Sequence, residues 1–183
     1  MNKTNIDGST ALHLACIASQ RTCVRLLVIE GASIIGMSKI GITFLEKQLR
    51  QTAFTGDVEY VRALLAAGVE VDAEDGGGYT SLMYACMSGH EPVFRLLIDK
   101  GAEIEKASNH GYMPLIIASV LGREAITLAL LTAGADPLVV DRYGKTAEQE
   151  ALRDAQNQCL PEEERARIRR CIELLQQPRV EVP

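Results

Sequence analysis

The strongest constraint on the fold is a series of glycines that returns at a nearly fixed interval. The series consists of Gly8, Gly41, Gly78, Gly111 and Gly144. Its intervals are 33, 37, 33 and 33 residues (41−8, 78−41, 111−78, 144−111). A second series, formed by Gly31, Gly68, Gly101 and Gly134, gives 37, 33 and 33. Such periodicity is typical of proteins built from stacked repeats. Both series predict about five units, one of which holds four additional residues.

The residues around these glycines resemble ankyrin repeats. The T-P-L-H-x-A signature of that family is matched by TALHLA at residues 10–15, TSLMYA at 80–85 and MPLIIA at 113–118. The rest of the pattern is supplied by Gly89-His90, Leu96-Leu97 and Gly101-Ala102. The resemblance implies an all-α fold, an ankyrin-repeat α-solenoid of stacked helix pairs with β-turn or hairpin tips.

On this basis we expect a single ankyrin-repeat domain over residues 1–177, followed by a flexible tail at 178–183. The expected repeats are about 5–37, 38–74, 75–107, 108–140 and 141–177. The first unit resembles an interior repeat, since its first helix carries Leu12, Leu14 and Ile17 where a terminal unit needs polar residues.

The third unit contains the clearest local signals. Thr80 is placed to cap a first helix and Gly89 to end it. Pro92 falls in the first turn of a second helix, where its missing N–H is harmless. Gly101 then closes that helix.

The second and fifth units depart from the pattern. In the second, Gly41 and Gly56 are 15 residues apart, whereas Gly78 and Gly89 are 11 apart. Because four residues make about one helical turn, we expect a first helix longer by one turn. In the fifth, a new helix is predicted to begin at Pro161 with three glutamates, forming a polar C-terminal cap.

The composition limits the environment and the partners. No apolar run reaches the roughly 18 residues that cross a bilayer, and no leader-like segment opens the chain. The net charge of −5 argues against general nucleic-acid binding. We therefore expect an intracellular monomer without nucleic-acid or membrane partners, located in the cytoplasm, with the nucleus and a host-cell cytosol as alternatives. The acidic middle, residues 56–110, has four Lys/Arg against ten Asp/Glu, which is either a solvated surface or a guide for a partner with a basic surface.

The sequence contains no recognisable catalytic, cofactor or metal site. Four cysteines, at positions 16, 23, 86 and 171, fall at expected core positions, and Cys159 falls in a loop. Gly144-Lys145-Thr146 lacks the earlier glycine of a phosphate-binding loop, since Val139 occupies that place. We expect no enzyme activity, no cofactor and no metal.

The resemblance instead implies protein binding through a concave face made of turn tips and first helices. By offset from the repeat glycines, the candidate partner-binding residues are Ile40, Ile42, Phe54, Tyr79, Met87, His110, Tyr112, Val120, Leu121 and Tyr143. Tyrosine is enriched at binding hot spots, and the alternative for Tyr79 and Tyr112 is that they pad the turns of neighbouring repeats.

The leading hypothesis is a non-enzymatic scaffold, adaptor or inhibitor. The alternatives are an inhibitor similar to the ankyrin-type inhibitors of cyclin-dependent kinases, a regulatory or targeting portion of a larger enzyme, and a secreted bacterial effector.

Overall fold

The computed structural model describes residues 10–18 and 20–177. Within those residues the chain forms ten helices: α1 (Ala11–Ile17), α2 (Arg21–Ile29), α3 (Lys39–Thr55), α4 (Val58–Ala66), α5 (Ser81–Ser88), α6 (Glu91–Asp99), α7 (Pro114–Val120), α8 (Glu124–Thr132), α9 (Ala147–Ala155) and α10 (Glu162–Leu175). Gly8 and the tail expected at 178–183 lie outside the described residues.

The helices belong to two compact units. Unit 1 comprises residues up to 75 together with 80–102 and contains α1–α6, and unit 2 comprises residues 76–79 and those from 103 onward and contains α7–α10. In unit 1, the first helices α1, α3 and α5 pack in a row, and the second helices α2, α4 and α6 pack beside one another. In unit 2, α7 packs on α9 and α8 on α10. Stacked helix pairs confirm the predicted all-α fold class.

The local signals of the third repeat act as predicted. The Thr80 hydroxyl accepts a hydrogen bond from the backbone N–H of Met83 at 3.4 Å, which caps α5. Gly89 ends α5 with φ of 80°, a left-handed conformation that glycine adopts without steric cost. Pro92 lies in the first turn of α6, and the following Val93 and Leu97 are fully buried.

The second repeat is built differently from the prediction. Gly41 lies inside α3, and the left-handed turn position is taken by Gly36, with φ of 80°. Ser38, two residues after Gly36, caps α3 through a hydrogen bond from the Gly41 N–H at 3.4 Å. Thr80 stands at the same offset from Gly78. Gly36 is therefore the repeat glycine of this unit.

The four additional residues are the net result of two changes. Helix α3 has 17 residues, nine more than the 8 of α5. The segment before it is five residues shorter, since Gly31 and Gly36 are 5 apart (36−31) while Gly68 and Gly78 are 10 apart (78−68). The expectation of one extra helical turn was wrong, because sequence spacing reveals only the sum of the two changes.

This correction changes the place in the repeat that was predicted for two candidate residues. Ile40 and Ile42 lie in the first turn of α3 and do not flank the turn glycine. The residues beside Gly36 are Ile35, whose exposed fraction is 83%, and the buried Met37.

Alanine substitutions distinguish the two glycines. Gly36→Ala should lower the free energy of unfolding by about 1–2 kcal/mol, because alanine is strained at positive φ, although no heavy atom lies within 4 Å of the added Cβ. Gly41→Ala should change it by less than about 1 kcal/mol, since the gain in helix propensity offsets a displacement of the flexible Met37 methyl, 2.6 Å from the added Cβ. Urea denaturation of both variants checks this, and a larger loss for Gly41→Ala would contradict the observed register.

The terminal repeats differ in their surfaces. In α1, Leu14 and Ile17 are exposed, as expected for an interior-like repeat at the end of a stack. In the fifth repeat, α10 begins at Glu162 with three glutamates in its first turn, where they favour the positive end of the helix dipole. Ile168 of α10 packs on Ala151 of α9 in a small buried cluster. The predicted polar C-terminal helix is present.

The cysteine predictions are correct with one exception. Cys16, Cys86 and Cys171 are buried and Cys159 is exposed, but Cys23 is exposed as well. The prediction for Cys23 was wrong because the buried face of α2 runs through Val24 and Val28, one position further along. No helix among the described residues has the length and apolar character needed to span a bilayer.

Candidate functional site

In unit 2, two adjacent turns present polar and aromatic side chains together. The first turn is closed by hydrogen bonds from the Gly111 N–H to the Ser108 carbonyl at 2.8 Å and from the Ser108 N–H to the Tyr112 carbonyl at 3.0 Å. The Tyr112 N–H also donates to the Ser108 hydroxyl at 3.1 Å. These bonds hold His110 and Tyr112 on either side of Gly111, with ring centroids 6.4 Å apart. The turn therefore sets the backbone positions from which both side chains project.

The second turn is built around Asp141. One carboxylate oxygen, Oδ1, accepts hydrogen bonds from the backbone N–H groups of Tyr143 at 2.8 Å and Lys145 at 2.9 Å. Val140 and Thr146 form an isolated antiparallel bridge that closes this tip. Tyr143 consequently points outward with an exposed fraction of 63%.

Arg142 joins the two turns. Its guanidinium approaches His110 Nδ1 at 3.3 Å and lies over the Tyr143 ring, 5.4 Å from the centroid. We call His110, Tyr112, Arg142 and Tyr143 the tip cluster. Three of its members were predicted. Arg142 was missed because the candidates around each turn were chosen from the two residues that directly flank the repeat glycine, and Arg142 lies two residues before Gly144.

The remaining candidates of unit 2 lie outside this cluster, one in a neighbouring turn and two at the far end of α7. Tyr79 is half-buried in the turn at residues 76–79. That turn is tied to Asn109, whose backbone N–H donates to the Gly77 carbonyl at 2.9 Å. Val120 and Leu121 are half-buried at the C-terminal end of α7, whereas Tyr112 precedes its N-terminus. About 10 Å of helix thus separates them from the tip cluster.

Unit 1 contains a second candidate site between α3 and α5. Phe54 of α3 and Tyr84 of α5 meet edge to face, with ring centroids 6.3 Å apart. They line a cavity of about 440 Å³ together with Arg21, Lys47, Arg50 and Asp75. We call it the α3–α5 cavity. Phe54 was predicted as a binding residue.

The other members of the α3–α5 cavity were missed. Tyr84 lies within the repeat signature and therefore looked structural. Lys47, Arg50 and Phe54 occupy positions i, i+3 and i+7 of α3, one face of a helix. That spacing was the available signal. Met87 is half-buried one turn after Tyr84, and Ile40 is exposed at the start of α3.

Among residues 10–18 and 20–177, no group of three or more His, Cys, Asp or Glu side chains is arranged to hold a metal ion. Both sites combine aromatic rings with a few charged side chains.

Comparison with known proteins agrees with the geometry. The family model described as "Ankyrin repeats (3 copies)" matches residues 49–141, and the model described as "Ankyrin repeat" matches residues 7–37. The chain is similar to the human protein named ankyrin repeat and SOCS box protein 18, with 34% identity over 86 residues. That match covers 47% of this chain and 18% of the relative, so the chain spans under a fifth of the relative's length.

Ankyrin repeats generally mediate protein–protein interaction and are typically non-enzymatic. The three-copy model alone accounts for half of the sequence, and the observed helix pairs have the family's order. The chain belongs to the ankyrin repeat family.

Proposed function

We propose that this chain is a non-enzymatic protein-interaction module that binds another protein through its turn tips and first helices, as a scaffold, adaptor or inhibitor. The observation that carries the proposal is the tip cluster, in which three exposed side chains and the half-buried Tyr112 lie together on two hydrogen-bonded turns. A preorganised surface loses little conformational entropy on binding. Tyrosine and arginine, which make up most of the cluster, are the residue types enriched at binding hot spots.

The chemistry of the tip cluster suits a protein surface. Tyr112 and Tyr143 offer flat apolar area with a hydroxyl at the edge, and Arg142 offers a planar cation already stacked on an aromatic ring. His110 adds a group that both donates and accepts hydrogen bonds.

The proposal is tested by removing two tip tyrosines. Tyr112→Ala/Tyr143→Ala should reduce recovery of the bound partner at least tenfold, since truncating one hot-spot tyrosine typically removes ~2 kcal/mol of binding. Affinity purification from cell lysate with quantitative mass spectrometry, wild type against variant, provides the measurement.

Leu128→Ala is the matched control, because Leu128 is an exposed apolar residue on the second helix α8. It should leave the recovered partners unchanged. Circular dichroism establishes that both variants are folded. Undiminished recovery with the tyrosine variant would reject the tip cluster as the binding surface.

A further inference from the structure

The α3–α5 cavity carries an excess of positive charge. Three cationic side chains, Arg21, Lys47 and Arg50, line it, against one carboxylate, Asp75. That carboxylate is already engaged, because it accepts a hydrogen bond from the Tyr84 hydroxyl at 2.7 Å. The three cationic side chains of the cavity are therefore available to a ligand, whereas the carboxylate of Asp75 is already hydrogen-bonded.

Arg50 is the central feature of this cavity. Its exposed fraction is 8%, and its guanidinium donates to the Ala73 carbonyl at 3.0 Å. Among residues 10–18 and 20–177, no carboxylate forms an ion pair with it. A guanidinium has five N–H donors, and burying a cation without a counter-charge is unfavourable. The structure thus holds a buried charge whose natural complement is an anion.

A smaller neighbouring cavity, of about 250 Å³, shares Arg21 and Gln51 with the first. Its wall contains Gln48 and Tyr60, whose side-chain amide nitrogen and hydroxyl are buried without a hydrogen-bond partner among the described residues. Burial raises the pKa of Tyr60 to about 12, so its hydroxyl keeps its proton at neutral pH.

The carboxylate that lines the smaller cavity, that of Asp57, also has hydrogen-bond partners already. Asp57 accepts from the Tyr60 backbone N–H at 3.1 Å and from Arg25. Burial alone would raise the pKa of Asp57, but these two partners hold it below its usual value. The two adjoining cavities are therefore lined by more cationic side chains than carboxylates, and both carboxylates are already hydrogen-bonded.

Part of the lining of the α3–α5 cavity is apolar. Phe54 has an exposed fraction of 50%, and its edge-to-face contact with Tyr84 leaves ring surface open to a ligand. A volume of about 440 Å³ is at the lower end of ordinary ligand sites and suits one or two side chains of a bound peptide segment.

We propose that the α3–α5 cavity receives an acidic segment of a partner protein, with a Glu or Asp carboxylate paired to Arg50 and an apolar neighbour against Phe54 and Tyr84. The inference rests on the proposed protein-binding function and names the chemistry of the partner. It differs from the basic partner surface that was one interpretation of the acidic residues 56–110, because the charges lining the cavity are three cations outside that segment against the one carboxylate of Asp75.

The probe is a short peptide with blocked termini, containing glutamates around a central phenylalanine, titrated into the full chain labelled with ¹⁵N. The matched probe replaces every glutamate by glutamine and keeps the shape. We expect the glutamate peptide to shift the resonances of Lys47, Arg50 and Phe54 and to bind at least tenfold more tightly than the glutamine peptide. Raising the salt concentration should weaken its binding.

Variants locate the effect. Arg50→Gln should weaken binding of the glutamate peptide at least tenfold, and Lys47→Gln, at the exposed rim, about threefold. Lys47→Gln supplies the test if Arg50→Gln does not fold. Arg62→Gln is the control, since Arg62 is an exposed arginine of α4 that lines neither cavity, and it should bind as wild type does.

Three results would overturn the inference: equal binding of both peptides, absence of binding at millimolar peptide, or inorganic phosphate binding as tightly as the glutamate peptide at the same residues. None of them affects the proposed function, which fails separately if Tyr112→Ala/Tyr143→Ala retains its partners.

Discussion

Phe94→Ala is expected to lower the free energy of unfolding by roughly 3–5 kcal/mol, the range for removing a buried aromatic ring. Phe94 lies in α6 with an exposed fraction of 2%, so its removal leaves a cavity that the surrounding helices fill only in part. Urea denaturation followed by circular dichroism measures the loss. In a chain of this size it corresponds to a fall in Tm of about 6–20 °C.

The matched control is Phe54→Ala, the same chemical change at a half-exposed position. It should cost about 1 kcal/mol, the worth of one aromatic pair. The same variant should weaken binding of the glutamate-rich peptide, whereas the folded fraction of Phe94→Ala should bind it normally. Equal destabilisation by both variants would contradict the burial seen in unit 1.

The helix pairs could be predicted from the sequence because their signals are local. The cap at Thr80, the left-handed end at Gly89 and the early Pro92 each act within one helical turn. Such features depend on backbone sterics and on hydrogen bonds between near neighbours. In the third unit, which has the standard length of the repeat, the predicted helices and the observed ones agree.

The second repeat could not be placed in this way, because glycine spacing cannot separate a deletion from an insertion. The segment before α3 is shorter by five residues and α3 itself is longer by nine, which leaves a net increase of four. Gly41 happens to lie 33 residues after Gly8, the interval expected of a repeat glycine. The serine two residues after Gly36 was the signal that could have found the register, since Ser38 caps α3 as Thr80 caps α5.

The α3–α5 cavity could not be predicted from the sequence for a different reason. Arg50 is buried by segments distant in the chain, and its hydrogen-bond partner is the carbonyl of Ala73, 23 residues away. Tyr84 is fixed by Asp75, a residue that reads as ordinary loop charge. Whether a cation has a counter-charge is a property of the packed structure, not of a pattern.

The turns of unit 2 provide the second large effect. Gly111→Ala is expected to lower the free energy of unfolding by about 2–4 kcal/mol, from two sources. Alanine at φ of 79° is strained by roughly 1–2 kcal/mol, and the added Cβ would lie 2.4 Å from the backbone nitrogen of Arg142, which overpacks the two turns. Because backbone cannot move aside as a flexible side chain can, the turns must separate.

Gly144→Ala isolates the first source. Gly144 has φ of 71° and stands at the equivalent turn position, but no heavy atom lies within 4 Å of its added Cβ, so its loss should stay near 1–2 kcal/mol. Separation of the turns in Gly111→Ala should also disrupt the Arg142 contact with His110 and reduce partner recovery, which Gly144→Ala affects less. Urea denaturation and affinity purification of both variants decide the matter. Equal losses would mean that the two turns do not brace one another, and the rigidity attributed to the tip cluster would then lack its physical cause.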